Sequence, residues 1–472
     1  MRGIDGRGRR GVLRRVTAVV AAVMVAPLCA EELPTAKPGE VGMSEEGLAK
    51  IGPVIREFID DKKLAGAVTI VARRAKVIHF EAHGMRDIEG KKPMEKDTIF
   101  RIYSMTKAVV SVAALILVED GELELDVPAS NYIPALGRMK FEGKIPQREM
   151  TLRDLLRHTA GFPNNVTTDR ALRAAGHPSL ADSTLEEMMD RLEAVPLRYP
   201  PGEGWHYSFA TDVVARLVEV GSGQTIDRFL ESRIFKPLAM VDTAFYCPKE
   251  KRERFAIPYG RGLQPVDAPQ PGTSGPHAFA QPPKFLSGGG GLVSTAGDYM
   301  RFCLMLSNKG EFNGVRLLKT QTVEAMIRNQ IPEEVGEITR PPKGRGFGLG
   351  FAVRIRELDG NPSPLGEYEW LGGAGTEFFL SPHDELVVIT LSQQLPMISL
   401  KNAVRPVVYE AISNRGSTSK AVPRRDRFLL LDSRLIASQE NAHLVPGTVK
   451  KHPDNPLFVE GKAWEPRYDN MY

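Results

Sequence analysis

The sequence predicts a protein of the α/β (α+β) class, in which an antiparallel sheet flanked by helices is built from both chain ends around an inserted, mostly helical domain. Three observations carry this. Runs of β-forming residues occur early, at 67–72 and 76–82, and return late, between 346 and 392. Between them, from about 183 to 238, apolar residues recur at helical spacing. A chain of 472 residues, 42% hydrophobic and 25% charged, is globular and long enough for two packed units. The expected division is a leader at 1–30, a sheet domain from 36–130 and 286–415, a helical domain at 131–285, and a tail at 416–472.

The first thirty residues have an arginine-rich start, an apolar run at 16–25 and a small-residue end at Cys29-Ala30. This is the three-part layout of a secretory signal, and the run is too short for a membrane span. Arg9-Arg10 adds a twin-arginine pattern, so export to the periplasm or beyond is expected. Removing the leader's six arginines and Asp5 takes the formal net charge from +4 to about −1. A mixed surface of this kind does not recommend nucleic acid as a partner. Of three cysteines, Cys247 and Cys303 fall outside the leader, too few for a disulfide framework.

Ser44 is placed to cap a helix carrying Leu48, Ile51, Ile55, Phe58 and Ile59 on one face, with Pro53 as a possible bend. The two early β-runs form a hairpin across Arg73-Arg74-Ala75. His79 and His83 share a face of its second strand, without a third ligand close in sequence to make a zinc site. Next comes Ser104-Met105-Thr106-Lys107, after the strand-like Thr98-Ile99-Phe100 and at the mouth of an apolar helix. Three residues of helical spacing bring the lysine beside the serine hydroxyl. A serine becomes a nucleophile when a neighbour takes its proton, and backbone N–H groups at a helix start can hold an oxyanion. A second Ser-x-x-Lys, Ser417 to Lys420, sits in a polar stretch ending at Pro423 and reads as a loop.

Thr151 and Asp154 form a capping box for a short helix that ends at His158-Thr159-Ala160-Gly161. His158, beside a Gly-Pro turn, is expected to be structural. The loop 199–204 delivers Trp205-His206-Tyr207-Ser208 to the start of a helix with Val213, Val214, Leu217 and Val218, which suits Tyr207 to project into a cleft. Residues 261–285 read as an irregular excursion. Gly288 to Gly291 lack the Lys-Ser/Thr ending of a phosphate loop and are read as close backbone packing. Thr295 caps a helix that stops near Gly310; a hairpin spans 377–392, and a last helix runs from about 400 to 412.

Taken together these stretches resemble the serine β-lactamase-like superfamily: class C β-lactamases, D,D-peptidases and related family VIII-type esterases. The resemblance covers about 40–413. It rests on Ser104-Met105-Thr106-Lys107, His158 to Gly161, Pro201-Gly202-Glu203 with Tyr207-Ser208-Phe209, Ile234 to Met240, Gly289 to Thr295, and Trp370-Leu371-Gly372 with Gly375-Thr376. It implies a β-lactamase/transpeptidase-like fold and an acyl-enzyme mechanism with no metal or cofactor. Ser104 is then the nucleophile, Lys107 its neighbour and Tyr207 the general base, with the backbone N–H groups of Ser104 and Gly373 as oxyanion hole. A lysine beside a buried phenol favours its anion over the reference form, whose pKa is near ~10.

Two departures narrow the substrate. Phe209 stands where β-lactamases and D,D-peptidases commonly carry an asparagine, and Trp370-Leu371-Gly372 stands where they carry Lys-Thr-Gly. Both replacements remove polar partners from the place where the resemblance puts the substrate carboxylate and amide. The expected reaction is therefore hydrolysis of carboxylic esters, with Phe209, Trp370, Leu371 and Gly372 shaping the substrate site. The alternatives are a β-lactamase or D,D-carboxypeptidase, and a catalytically silent protein that binds a cell-wall fragment or partner. The partner is a small-molecule ester or amide, and the sequence leaves the oligomeric state and the order in which Lys107 and Tyr207 act open.

Overall fold

The computed structural model describes residues 32–267, 279–335 and 343–413. The expected leader at 1–30, the expected tail with Ser417–Lys420, and part of the expected irregular excursion lie outside them. Twelve strands occur among the described residues. Eight form one antiparallel sheet: β1 (Gly66–Arg73), β2 (Lys76–Asp87), β3 (Lys92–Pro93), β8 (Arg345–Phe347), β9 (Ala352–Arg354), β10 (Tyr368–Gly372), β11 (Thr376–Ser381) and β12 (Leu386–Ser392), in the order β3-β2-β1-β12-β11-β10-β9-β8. Strand β1 from the early part of the chain thus pairs with β12 from the late part, Ile70 opposite Ile389. Two short antiparallel pairs are separate: β4 (Phe100–Arg101) with the distant β5 (Val293–Ser294), and the hairpin of β6 (Glu311–Phe312) with β7 (Val315–Arg316).

Helices cover both faces of the sheet. Alternation along β1 sends Ala67 and Val71 to one side and Val68, Ile70 and Ala72 to the other. The first side meets α1 (Glu45–Ala49), α2 (Ile51–Asp60) and the last helix, α11 (Leu400–Glu410). The second meets α3 (Thr106–Asp120), α9 (Ala296–Ser307) and the helices of the middle region. With both faces covered, the central strands β1 and β12 are buried at every position, each fully buried Val, Leu or Ile contributing about 1.5–3 kcal/mol.

Local chemistry explains the elements. Ser44 Oγ accepts the Gly47 N–H, as its capping role requires, but the helix divides at Lys50. Pro53 has no N–H to give the Ala49 carbonyl, so the chain restarts there instead of merely bending. The β1–β2 hairpin turns through Arg74 and Ala75, both left-handed at φ 49° and 58°, the pattern of a two-residue turn matched to strand twist. The Thr151–Asp154 capping box closes α4 (Leu152–Leu156), and Thr295 caps α9. Between them lie α5 (Asn165–Ala174), α6 (Leu185–Met189), α7 (Ala210–Ser222) and α8 (Ile226–Leu230), and α10 (Thr320–Met326) follows α9.

Helix α3 is buried on all sides from Thr106 to Leu117 and packs along α7. Behind the sheet, a buried ionic network ties α11 to β8 and β10. Glu369 contacts Arg345, Arg405 and, at 3.0 Å, Lys401 Nζ; Glu367 accepts from Tyr409 at 2.5 Å and lies 3.2 Å from Arg405. Cys247 and Cys303 are both buried and free. Among the described residues no helix is long and apolar enough to cross a membrane.

Candidate active site

Ser104 sits in a 3₁₀ turn, Tyr103–Met105, that leads into α3. Tyr103 just before it is left-handed, at φ 43°, a conformation that costs a non-glycine residue on the order of 1 kcal/mol or more and that fixes the approach to the serine. The turn is pinned from several directions. Ile102 N–H donates to the Leu292 carbonyl, Tyr299 Oη donates to the Met105 carbonyl, and Leu292 N–H donates to Thr106 Oγ1. Ser104 keeps partial exposure.

Lys107 is 4% exposed, the lone lysine in an otherwise uncharged stretch of α3. Its Nζ donates to Ser104 Oγ at 3.3 Å and to the Gly289 carbonyl at 2.5 Å, and it lies 4.8 Å from the centre of the Tyr207 ring. The serine, lysine and tyrosine singled out by sequence therefore converge, through the contact between α3 and the loop that opens α7.

Tyr207 is held by aromatic edges. Its ring lies 5.0 Å from His158 and 5.2 Å from Trp370, and Phe347 stands 5.3 Å from His158 and 5.2 Å from Trp370. His158, left-handed at φ 61°, has Nδ1 3.2 Å from Ser208 Oγ, and its carbonyl accepts the His206 N–H. It braces the Tyr207 loop, as its structural reading expected. His79 pairs with Thr69 and His83 with Glu81, and no cluster of metal-ligating side chains occurs among the described residues.

Strand β10 ends against the serine turn. A Cβ on Gly372 would stand 2.3 Å from the Ile102 carbonyl oxygen, so only glycine permits this approach. Thr376 Oγ1, across the β10–β11 turn, donates to the same carbonyl at 3.2 Å. The turn between them carries Gly373, exposed and with open space on its side-chain side. Trp370 is 4% exposed and Leu371 half-buried. Phe209 is placed differently from expectation. It is 0% exposed, its ring 6.3 Å from Phe162 in the core, and it offers no surface to a ligand; its position as the N-cap residue of α7 directs it inward.

The glycine run is close backbone packing, as expected. A Cβ on Gly288 would meet Ala215 at 2.5 Å, and one on Gly289 would meet Asp212 Oδ2 at 2.6 Å. That aspartate is the part of the site the sequence reading missed. Fully buried in the first turn of α7, Asp212 accepts from Ser287 Oγ at 2.6 Å, Gly289 N–H at 3.0 Å and Asn165 Nδ2 at 3.3 Å. An acidic residue in a first helical turn is ordinarily a solvated capping charge, which hid it. Its signal was the apolar company of Val213, Val214 and Leu217.

The Beta-lactamase family model matches residues 52–411. The chain belongs to the beta-lactamase family. Protein Rv1367c of Mycobacterium tuberculosis is 32% identical over 79% of this chain and 96% of its own length. Esterase EstB of Burkholderia gladioli is 32% identical over 73% of this chain and 90% of its own. Among solved structures, EstCE1, a hydrolase with promiscuous acyltransferase activity, superposes with a TM-score of 0.68, at 26% identity over 77% of this chain and 99% of that one. Family and relatives together make the protein a serine hydrolase.

Proposed function

We propose that the protein is an exported carboxylesterase that works through an acyl-enzyme on Ser104. The observation that carries this is the convergence of three groups: Lys107 Nζ 3.3 Å from Ser104 Oγ and 4.8 Å from the Tyr207 ring. Ser104 Oγ attacks the ester carbonyl while its proton passes to the Lys107–Tyr207 pair. The oxyanion is received by the backbone N–H groups of Ser104 and Gly373, each such donor supplying about 3–4 kcal/mol of transition-state stabilisation. The alcohol departs with a proton from the same pair, and water then releases the acid by the reverse sequence.

An uncharged ester is favoured by the wall beside Tyr207. Trp370, packed against the Tyr207 ring, stands where the resemblance places a carboxylate-binding cation, and a charged substrate would leave its charge unpaired there. EstB, whose name records an esterase, supports the same reaction class. The leader at 1–30 supports export. A fluorophosphonate probe followed by peptide mass spectrometry tests the assignment: a single adduct on Ser104 is expected, and labelling elsewhere or none would refute it.

A further inference from the structure

Asp212 is an expensive residue to keep. A fully buried carboxylate loses its hydration, and burial pushes its pKa up, with the Lys107 charge as the main effect pulling the other way. Its hydrogen bonds alone do not require the charge. An asparagine Oδ1 accepts from Ser287 Oγ and Gly289 N–H equally well, and its Nδ2, standing where Oδ2 takes Asn165 Nδ2, is accepted by Asn165 once that amide turns over. What a carboxylate adds is a negative charge that shares the Gly289 backbone with Lys107. Gly289 gives its N–H to Asp212 and its carbonyl to Lys107, and has no side chain to hold the carboxylate away.

We propose that Asp212 is the counter-charge of the Lys107 ammonium and a positioning residue for catalysis. It acts through Lys107 and through the Gly289 backbone without touching substrate. The proposal rests on the reading of Ser104 as nucleophile and deepens it. In this proposal Lys107 stays an ammonium, which has no lone pair to take the serine proton. The proton leaving Ser104 Oγ, as Oγ bonds to the acyl carbon, therefore goes to the Tyr207 oxygen. Lys107 remains the charge that favours the anionic phenol.

Several other charged groups on α7 and the elements packed against it are committed elsewhere. Asp154 of α4 pairs with Arg148 and Arg157, and Glu186 and Glu219 pair with Arg216. On the remaining sides Asp212 meets the uncharged Asn165 and Ser287.

The test is the pH dependence of Ser104 acylation by a phosphonate ester, with aryl-ester kcat/KM measured alongside, in the wild type, Asp212→Asn and Ser287→Ala. Removing a neighbouring anion makes a cation easier to deprotonate. Asp212→Asn should move the alkaline limb of both profiles down by about one pH unit and slow acylation by about tenfold or more. Ser287→Ala, which keeps both charges, should leave the limb in place. An Asp212→Asn profile that is lower but unshifted would assign Asp212 a purely structural role and overturn the proposal. Phosphonate acylation without ester turnover would overturn the esterase reading alone and leave this comparison intact. If Asp212→Asn does not fold, Lys107→Met examines the pair from the other side by denaturant unfolding. A carboxyl whose folded pKa is raised further loses stability as pH rises through it, so the deficit relative to wild type should grow with pH. A deficit independent of pH would contradict the pairing.

Discussion

Two of the places where this fold buries charge differ in how completely it is matched and what lies beside it. Behind the sheet, Glu369 is surrounded by Arg345, Lys401 and Arg405, while Glu367 takes Arg405 and Tyr409 and Glu377 accepts the Lys401 N–H at 2.9 Å. At the site, one lysine and one aspartate flank a glycine backbone, and beyond the lysine is a partly exposed serine. The first arrangement joins a helix to a sheet; the second leaves a charge facing a hydroxyl that solvent and substrate can reach. Buried charge by itself therefore does not mark function. An incompletely enclosed charge next to a nucleophile does.

The comparison breaks most sharply at Ser104. Ser104→Ala should lower aryl-ester turnover on the order of 10⁴-fold or more while leaving the denaturation midpoint within about 0.5 kcal/mol of wild type. Stability loss in place of activity loss would make the site structural. Tyr207→Phe should slow both acylation and deacylation by roughly 10²–10⁴-fold, read from the burst and steady-state phases of one stopped-flow trace. An unaltered deacylation rate would remove the tyrosine from that step.

The network should behave in the opposite way. Glu369→Gln leaves two arginines and a lysine without their shared anion, and should cost about 3–5 kcal/mol in urea unfolding with kcat of the folded enzyme unchanged. The pH dependence has a definite sign. Burial alone raises the Glu369 carboxyl, but Lys401, Arg345 and Arg405 outweigh it and hold the group below the usual carboxylate range. Its contribution is present above the ordinary carboxylate pKa and fades as pH falls through the lowered value, so the gap between wild type and Glu369→Gln should close in acid.

A smaller effect is expected at Phe209. Phe209→Asn buries an amide against Phe162 and should destabilise by about 3 kcal/mol, measured by thermal unfolding, with no gain in cephalosporin acylation. A gain would mean that the side chain reaches the substrate after all.

Much of this was legible in the sequence. Ser44, Thr151 and Thr295 announced helix starts because a capping hydroxyl is a local requirement, and the β1–β2 hairpin was visible in its β-forming residues. Ser104, Lys107 and Tyr207 were legible as motif residues, but their meeting depends on α3 packing along α7, a tertiary fact. Three things were not legible. Phe209 looked like part of the substrate wall because it stands where β-lactamases and D,D-peptidases carry an asparagine, whereas at the N-cap of α7 its ring turns into the core. Asp212 was masked by the ordinary role of acids at helix starts. The network was invisible because Arg345, Glu369 and Arg405 come from three segments whose charges, taken singly, read as surface.

The central claim is an ester-selective serine nucleophile in a site walled by Trp370. Side-by-side hydrolysis of a short-chain aryl ester and a chromogenic cephalosporin by the purified protein, with Ser104→Ala as control, addresses it most directly. Ester turnover that vanishes in Ser104→Ala, with negligible cephalosporin cleavage, is the predicted result. Preferential cephalosporin cleavage, or ester turnover that survives in Ser104→Ala, would contradict it.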